Sequence, residues 1–248
     1  SHKTLKQQLY MNQIIKSIFL VIATTLCYTS AIAQQFEPKE FAGVKYQEFA
    51  KLSSDDKMPA LLIYLHGKSG CGTDNERQIR VPSVWNIEKY LRESKMPIYF
   101  IVPQCPPTHE WIDHRDMPGY EDKIFELIDH YIKEVGVDTN RIYLCGFSMG
   151  AMGTWKILRE RSDFFAAAFI ASAGNRNAEP NEYLKTPLCV TVGEFERSAD
   201  DLQWFTSEIE RLGGRVNFSV LPGLGHREAC GESFTAERLK WLFSHSKK

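Results

Sequence analysis

Arg141-Ile142-Tyr143-Leu144-Cys145-Gly146-Phe147-Ser148-Met149-Gly150 is the stretch on which the reading of this chain turns. An apolar, strand-like run leads straight into Gly-x-Ser-x-Gly, and helix-like sequence opens just after it. Two glycines around a serine let the backbone make a strained strand-to-helix turn that lifts the Ser148 hydroxyl clear of a sheet edge. The same turn aims the amide of Met149 at the place where a negative oxygen would form. Five residues of pattern are weak alone; the strand-turn-helix setting makes them strong.

Outward from this turn the elements alternate. Ala60–Leu65 is a continuous apolar run that ends at His66-Gly67, as expected of a strand buried on both faces. Pro97–Val102 is a second such run. Apolar residues spaced by three and four from Tyr120 to Ile132 predict an amphipathic helix closed by Gly136. The 141–145 strand, the turn and a helix to about Arg161 come next. Strands are expected at Phe165–Ala171, Pro187–Val192 and Val216–Leu221. Helices are expected around Asp200–Leu212 and Ser233–Ser244. Such alternation predicts one domain with a mostly parallel sheet and helices on both faces. Reactive groups then collect at the carboxyl ends of the strands.

Past the last strand comes Pro222-Gly223-Leu224-Gly225-His226. His226 suits a general base that takes the Ser148 proton and returns it to a leaving group. An acid is needed after the preceding strand, where Gly193-Glu194-Phe195-Glu196-Arg197-Ser198-Ala199-Asp200-Asp201 follows. A carboxylate three residues past the glycine has the usual reach, which selects Glu196, with Glu194, Asp200 and Asp201 as rivals. The rivals also read as a helix N-terminus favoured by its dipole. The loop His66-Gly67-Lys68-Ser69-Gly70 offers the Lys68 amide as a second donor beside Met149. Gly67-Lys68-Ser69 is not a phosphate loop, because that motif needs glycine where Leu62 stands. His109-Glu110-Trp111-Ile112-Asp113-His114 is not the zinc-protease motif, because position 113 is Asp113 where that motif has histidine.

The strings HGKSGCGTDNE at 66–76, VPQCPPTHEW at 102–111, VDTNRIYLCGFSMGAMGTW at 137–155 and GLGH at 223–226 together resemble a known group. It is the secreted "predicted peptidase" branch of the α/β-hydrolase superfamily, akin to phospholipase/carboxylesterase, feruloyl-esterase and polyhydroxyalkanoate-depolymerase-like enzymes. The likeness spans nearly all of residues 45–245. It implies an α/β-hydrolase fold with a mostly parallel sheet of about eight strands and no large lid. It also implies a serine hydrolase of esters with Ser148 as nucleophile, His226 as base, and the Met149 and Lys68 amides as oxyanion donors. By the same likeness His66, Gln104 and Trp111 line the substrate pocket. Two positions depart from the group's habit: Glu196 stands where aspartate is common, and Lys68 where small residues are common. No cofactor and no metal is expected. Rival readings are a serine peptidase using the same chemistry and, in another class, a non-catalytic hydrolase-fold binding protein.

Composition and charge bound the partners. The chain has 248 residues, 43% hydrophobic and 25% charged, with a formal net charge of −1. From Met11, Lys16 gives a positive start, Ser17–Leu26 an apolar run, and Ala31-Ile32-Ala33 a small-x-small site. This predicts a signal peptide within residues 1–33, a periplasmic or secreted protein, no stable membrane anchor after cleavage, and a single domain over 34–248. No block of basic residues appears, which speaks against nucleic acid and anionic membrane surfaces as partners; the partner that the resemblance implies is a small-molecule or glycan ester. Oligomeric state is left open. Of the cysteines past residue 33, Cys145 and Cys189 read as buried apolar residues. Cys71, Cys105 and Cys230 fall in loops and leave room for one disulfide.

Overall fold

The computed structural model describes residues 35–55, 57–114, 116–174 and 178–247. The predicted signal peptide therefore lies outside the described residues. The strands are β1 (Glu37–Phe41), β2 (Val44–Lys51), β3 (Ala60–Leu65), β4 (Ile98–Pro103), β5 (Ile142–Phe147), β6 (Ala167–Ala171), β7 (Leu188–Gly193) and β8 (Val216–Leu221). They form one eight-stranded sheet in the order β1-β2-β4-β3-β5-β6-β7-β8. Only the β1–β2 and β2–β4 pairings are antiparallel; from β4 through β8 every neighbour is parallel. The expected fold class stands.

Side-chain alternation divides the interior into two layers. On one face Leu61, Ile63, Leu65, Leu144 and Ile170 pack with Leu127, Trp155 and Phe205. Those last three belong to α2 (Glu121–His130), α3 (Met149–Glu160) and α4 (Ala199–Arg211). On the other face Leu62, Tyr64, Cys145 and Phe169 pack with Ile87 of α1 (Pro82–Glu93) and Leu239 of α6 (Ala236–Phe243). The runs of β3 and β5 are buried at every position, which is why they read as unbroken apolar sequence.

Four elements differ from the sequence reading. β1 and β2 were not anticipated, because Val44–Lys51 interleaves buried Val44, Tyr46 and Phe49 with the polar Lys45, Gln47 and Glu48 at a strand on the antiparallel side. Nor was α1, whose start carries Pro82 in the first turn, where its missing N–H costs nothing. The final helix, expected over Ser233–Ser244, runs over Ala236–Phe243, and a further helix precedes it in a stretch read as loop. A short α5 (His226–Glu232) ends before Thr235, whose side chain accepts from the Arg238 amide and restarts the helix as α6.

Candidate functional site

Ser148 sits between the end of β5 and the start of α3 with φ 56° and ψ −117°, a backbone conformation that costs a non-glycine residue energy. Neighbouring backbone explains both glycines. A Cβ at Gly146 would lie 2.2 Å from the Gly150 carbonyl oxygen, and one at Gly150 would lie 1.8 Å from the Leu65 carbonyl oxygen. Neither position can carry a side chain. The turn is tied down by the Ser148 amide donating to the Ala171 carbonyl at 2.9 Å and the Met152 amide to the Ser148 carbonyl at 3.1 Å.

His226 bridges the serine and the acid. Its Nε2 is 2.8 Å from Ser148 Oγ and its Nδ1 is 2.6 Å from Glu196 Oε2. Glu196 Oε1 accepts from the Gly193 amide at 2.8 Å. Three sheet edges thus contribute: β5 the serine, β7 the acid and β8 the histidine. With Nδ1–H turned to the carboxylate, Nε2 is left to accept the serine proton. The Glu196 side chain is 7% exposed and that of His226 51%, so the acid is shielded while the base faces the open side. Burial pushes the Glu196 carboxyl up, yet the hydrogen bonds from His226 and the Gly193 amide outweigh it and hold it below its ordinary range. The hydrogen bond it donates to Glu196 pushes the His226 imidazole up, against the opposing pull of partial burial. Phe147 packs on the imidazole with ring centroids 5.1 Å apart.

Of the rival acids, Glu194 instead accepts from the Gly223 amide at 2.6 Å, which binds the two loops together. Asp200 and Asp201 are exposed in the first turn of α4, where the helix dipole favours them. His226 was expected in a loop; it is the first residue of α5, with Gly225 at the N-cap.

Met149 and Lys68 approach the serine from two sides. Met149 opens α3, and Lys68 opens a 3-10 turn over Lys68–Gly70, so neither amide has an acceptor within its own helix. Gly67 lies against the turn: a Cβ there would be 3.4 Å from Ser148 Cβ. The Lys68 ammonium is 3.5 Å from Glu110 Oε1, whose other oxygen is 2.7 Å from His114 Nδ1.

His66, Gln104 and Trp111, expected to line the substrate pocket, support the loop beside it. All three are buried, and their polar atoms are spent on the 66–75 loop. His66 Nδ1–H donates to the Gly67 carbonyl at 2.7 Å, and Nε2 accepts from the Cys105 amide at 3.0 Å. Burial drives its imidazole down to about 4, so it stays neutral. Trp111 Nε1–H donates to the His66 carbonyl at 2.8 Å. Gln104 donates from Nε2 to Asp74 Oδ1 at 2.8 Å and accepts from the Asn75 amide at 2.7 Å. Buried polar atoms must find partners, and these find them in loop backbone and in Asp74. Glu110, which faces Lys68, was not singled out from the sequence; its place beside Trp111 was the available signal.

All five described cysteines are free thiols. Cys230 lies on α5, not in a loop. Among the described residues no group of three His, Cys, Asp or Glu side chains could hold a metal ion, and no helix is long and apolar enough to cross a membrane.

No protein-family model and no curated protein sequence matches this chain. Solved structures do. The chain is similar to a thermostable esterase at 23% identity and TM-score 0.69, over 86% of this chain but only 63% of that one. It is similar to the S-formylglutathione hydrolase of Staphylococcus aureus at 17% identity and TM-score 0.62, over 84% of this chain and 98% of that one. A third is the feruloyl esterase module of Clostridium thermocellum, solved with sinapinate, at 12% identity and TM-score 0.62 over 84% and 88%. At such identities the likeness establishes the fold.

Proposed function

From the α/β-hydrolase fold as premise, we propose that this chain is an exported serine esterase working through an acyl-enzyme. The observation that carries the reading is His226 held between Ser148 at 2.8 Å and Glu196 at 2.6 Å. As Ser148 Oγ attacks the ester carbonyl, His226 Nε2 takes its proton, and the Glu196 carboxylate stabilises the imidazolium that results. The amides of Met149 and Lys68 receive the oxyanion. His226 then gives its proton to the departing alcohol, and water repeats the sequence on the acyl-serine.

An open cleft supports soluble substrates. The stretch joining β6 to β7 is short, its described part carries one 3-10 turn over Pro180–Tyr183, and the base is half exposed. Short-acyl esters and hydroxycinnamate or acetyl esters of carbohydrates fit better than long-chain lipid. The names of the similar structures agree, since they include a ferulic acid esterase and a sinapinate complex. Export is supported by the Met11–Ala33 sequence.

The test is an ester panel (acetyl, butyryl, feruloyl and acetylated xylan) on the protein lacking residues 1–33. Turnover of acetyl or feruloyl esters, abolished by Ser148→Ala with the fold intact, is expected. Retained turnover above roughly one part in a thousand would place the nucleophile elsewhere.

A further inference from the structure

Cys71 and Cys105 are far apart in the chain, one following the Lys68–Gly70 turn and the other following β4. The structure closes that separation from both sides. The Gly72 amide donates to the Cys105 carbonyl at 3.1 Å, and Gln104 Nε2 donates to the Gly70 carbonyl at 3.3 Å. Both side chains belong to the same buried cluster, and the Cys105 thiol donates to the Pro106 carbonyl at 3.7 Å. Cys71 retains 8% exposure and Cys105 none. The other three described cysteines lie elsewhere, on β5, β7 and α5.

We propose that Cys71 and Cys105 are a redox-active pair that a small disulfide of the glutathione type converts to an intramolecular disulfide, clamping the 66–75 loop to the end of β4. Cys71 is the attacking sulfur. It is the one of the two that reaches the surface, and the neighbouring Cys105 thiol and Lys68 ammonium hold its thiol below the ordinary range. Cys105 is pushed up by the neighbouring Cys71 and by burial, so it holds its proton until the second step. First, Cys71 thiolate bonds to one sulfur of the small disulfide, whose S–S bond breaks and releases one thiol carrying the Cys71 proton. Next, Cys105 loses its proton and bonds to the Cys71 sulfur, expelling the second small thiol. Two protein thiols are oxidised by two electrons, and one small disulfide is reduced to two thiols.

The consequence falls on the loop that carries the Lys68 amide. A bridge would hold Gly70–Gly72 where Gln104 and Cys105 now hold it by hydrogen bonds alone. The pairing itself does not depend on the esterase reading, and its test needs no substrate.

The protein is equilibrated with oxidised glutathione, alkylated with N-ethylmaleimide, digested and mapped by mass spectrometry. A Cys71–Cys105 linked peptide is expected, with Cys145, Cys189 and Cys230 alkylated only after denaturation. The melting temperature should rise by roughly 5–15 °C and return on adding dithiothreitol. Cys71→Ser should fold, and its melting temperature should be insensitive to either reagent. Five free thiols after oxidation, a stable mixed disulfide on Cys71, or a link through Cys230 would overturn the pairing. A linked peptide with unchanged melting temperature would overturn the clamp.

Discussion

The two loops that meet at Ser148 are built by opposite means. The 146–150 turn is set by backbone sterics: a methyl group at Gly150 would lie 1.8 Å from the Leu65 carbonyl oxygen. The 66–75 loop is set by buried polar side chains, its own His66 on the Gly67 carbonyl and, from elsewhere, Trp111 on the His66 carbonyl and Gln104 on Asp74 and Asn75. A steric requirement leaves a mark on the sequence, because only glycine satisfies it. A polar scaffold leaves a mark that looks like something else, since a buried Trp or Gln reads equally as a substrate contact. Met149 and Lys68 each stand in the first turn after one of these loops, so the proposed oxyanion site would join one part that cannot move to one that its supports must hold.

Breaking the rigid side should have the largest effect. Gly150→Ala forces backbone apart and should cost more than about 3 kcal/mol and at least a thousandfold in ester turnover. Gly223→Ala, at φ 72° with open space around its Cβ position, should cost only about 1–2 kcal/mol. Urea melts of the two variants measure both; equal losses would mean the turn is held by strain alone and not by the clash.

Glu196→Gln should lower kcat by on the order of a thousandfold. Its pH profile has a definite sign. Glu196 raises the His226 imidazole, and the imidazole must be neutral to accept the Ser148 proton. Removing the carboxylate therefore moves the acid limb of kcat/KM to lower pH. An unmoved limb would show that another group titrates there.

On the supported side the losses should be smaller. Lys68→Pro removes the amide donor and should cost about a hundredfold in kcat, whereas Lys68→Ala keeps the amide and most of the activity. Equal damage from both would transfer the role to the ammonium that faces Glu110. Smallest is Trp111→Phe. It leaves the His66 carbonyl without its donor and should cost about 1–3 kcal/mol of stability, with KM little changed across the ester panel. A raised KM for bulky esters at unchanged stability would return Trp111 to the pocket wall.

Most of the sheet was legible because β3 to β8 are buried on both faces or pair in parallel, which writes apolar runs into the sequence. β1 and β2 were missed because the antiparallel side of the sheet is half exposed, so Val44–Lys51 carries no such run. Ser148, Glu196 and His226 were readable from order and spacing along the chain. The identity of the acid came from reach alone, and the structure places Glu196, not Glu194, Asp200 or Asp201, beside the imidazole. His66, Gln104 and Trp111 were singled out as pocket residues, and the structure shows them buried and bonded to the 66–75 loop and its neighbours. Burial decides between support and pocket, and sequence does not report it for a polar residue. Glu110 went unread because its partner, Lys68, is distant along the chain, with α1 and β4 between them.

The central claim is that His226 and Glu196 activate Ser148. It is tested most directly by the rate of covalent labelling with a fluorophosphonate, with the adduct mapped by mass spectrometry and compared across wild type, Glu196→Gln and His226→Gln. A single adduct on Ser148 is predicted, formed much more slowly in Glu196→Gln and scarcely at all in His226→Gln. An adduct on another residue, or Ser148 labelled equally fast in all three proteins, would contradict it.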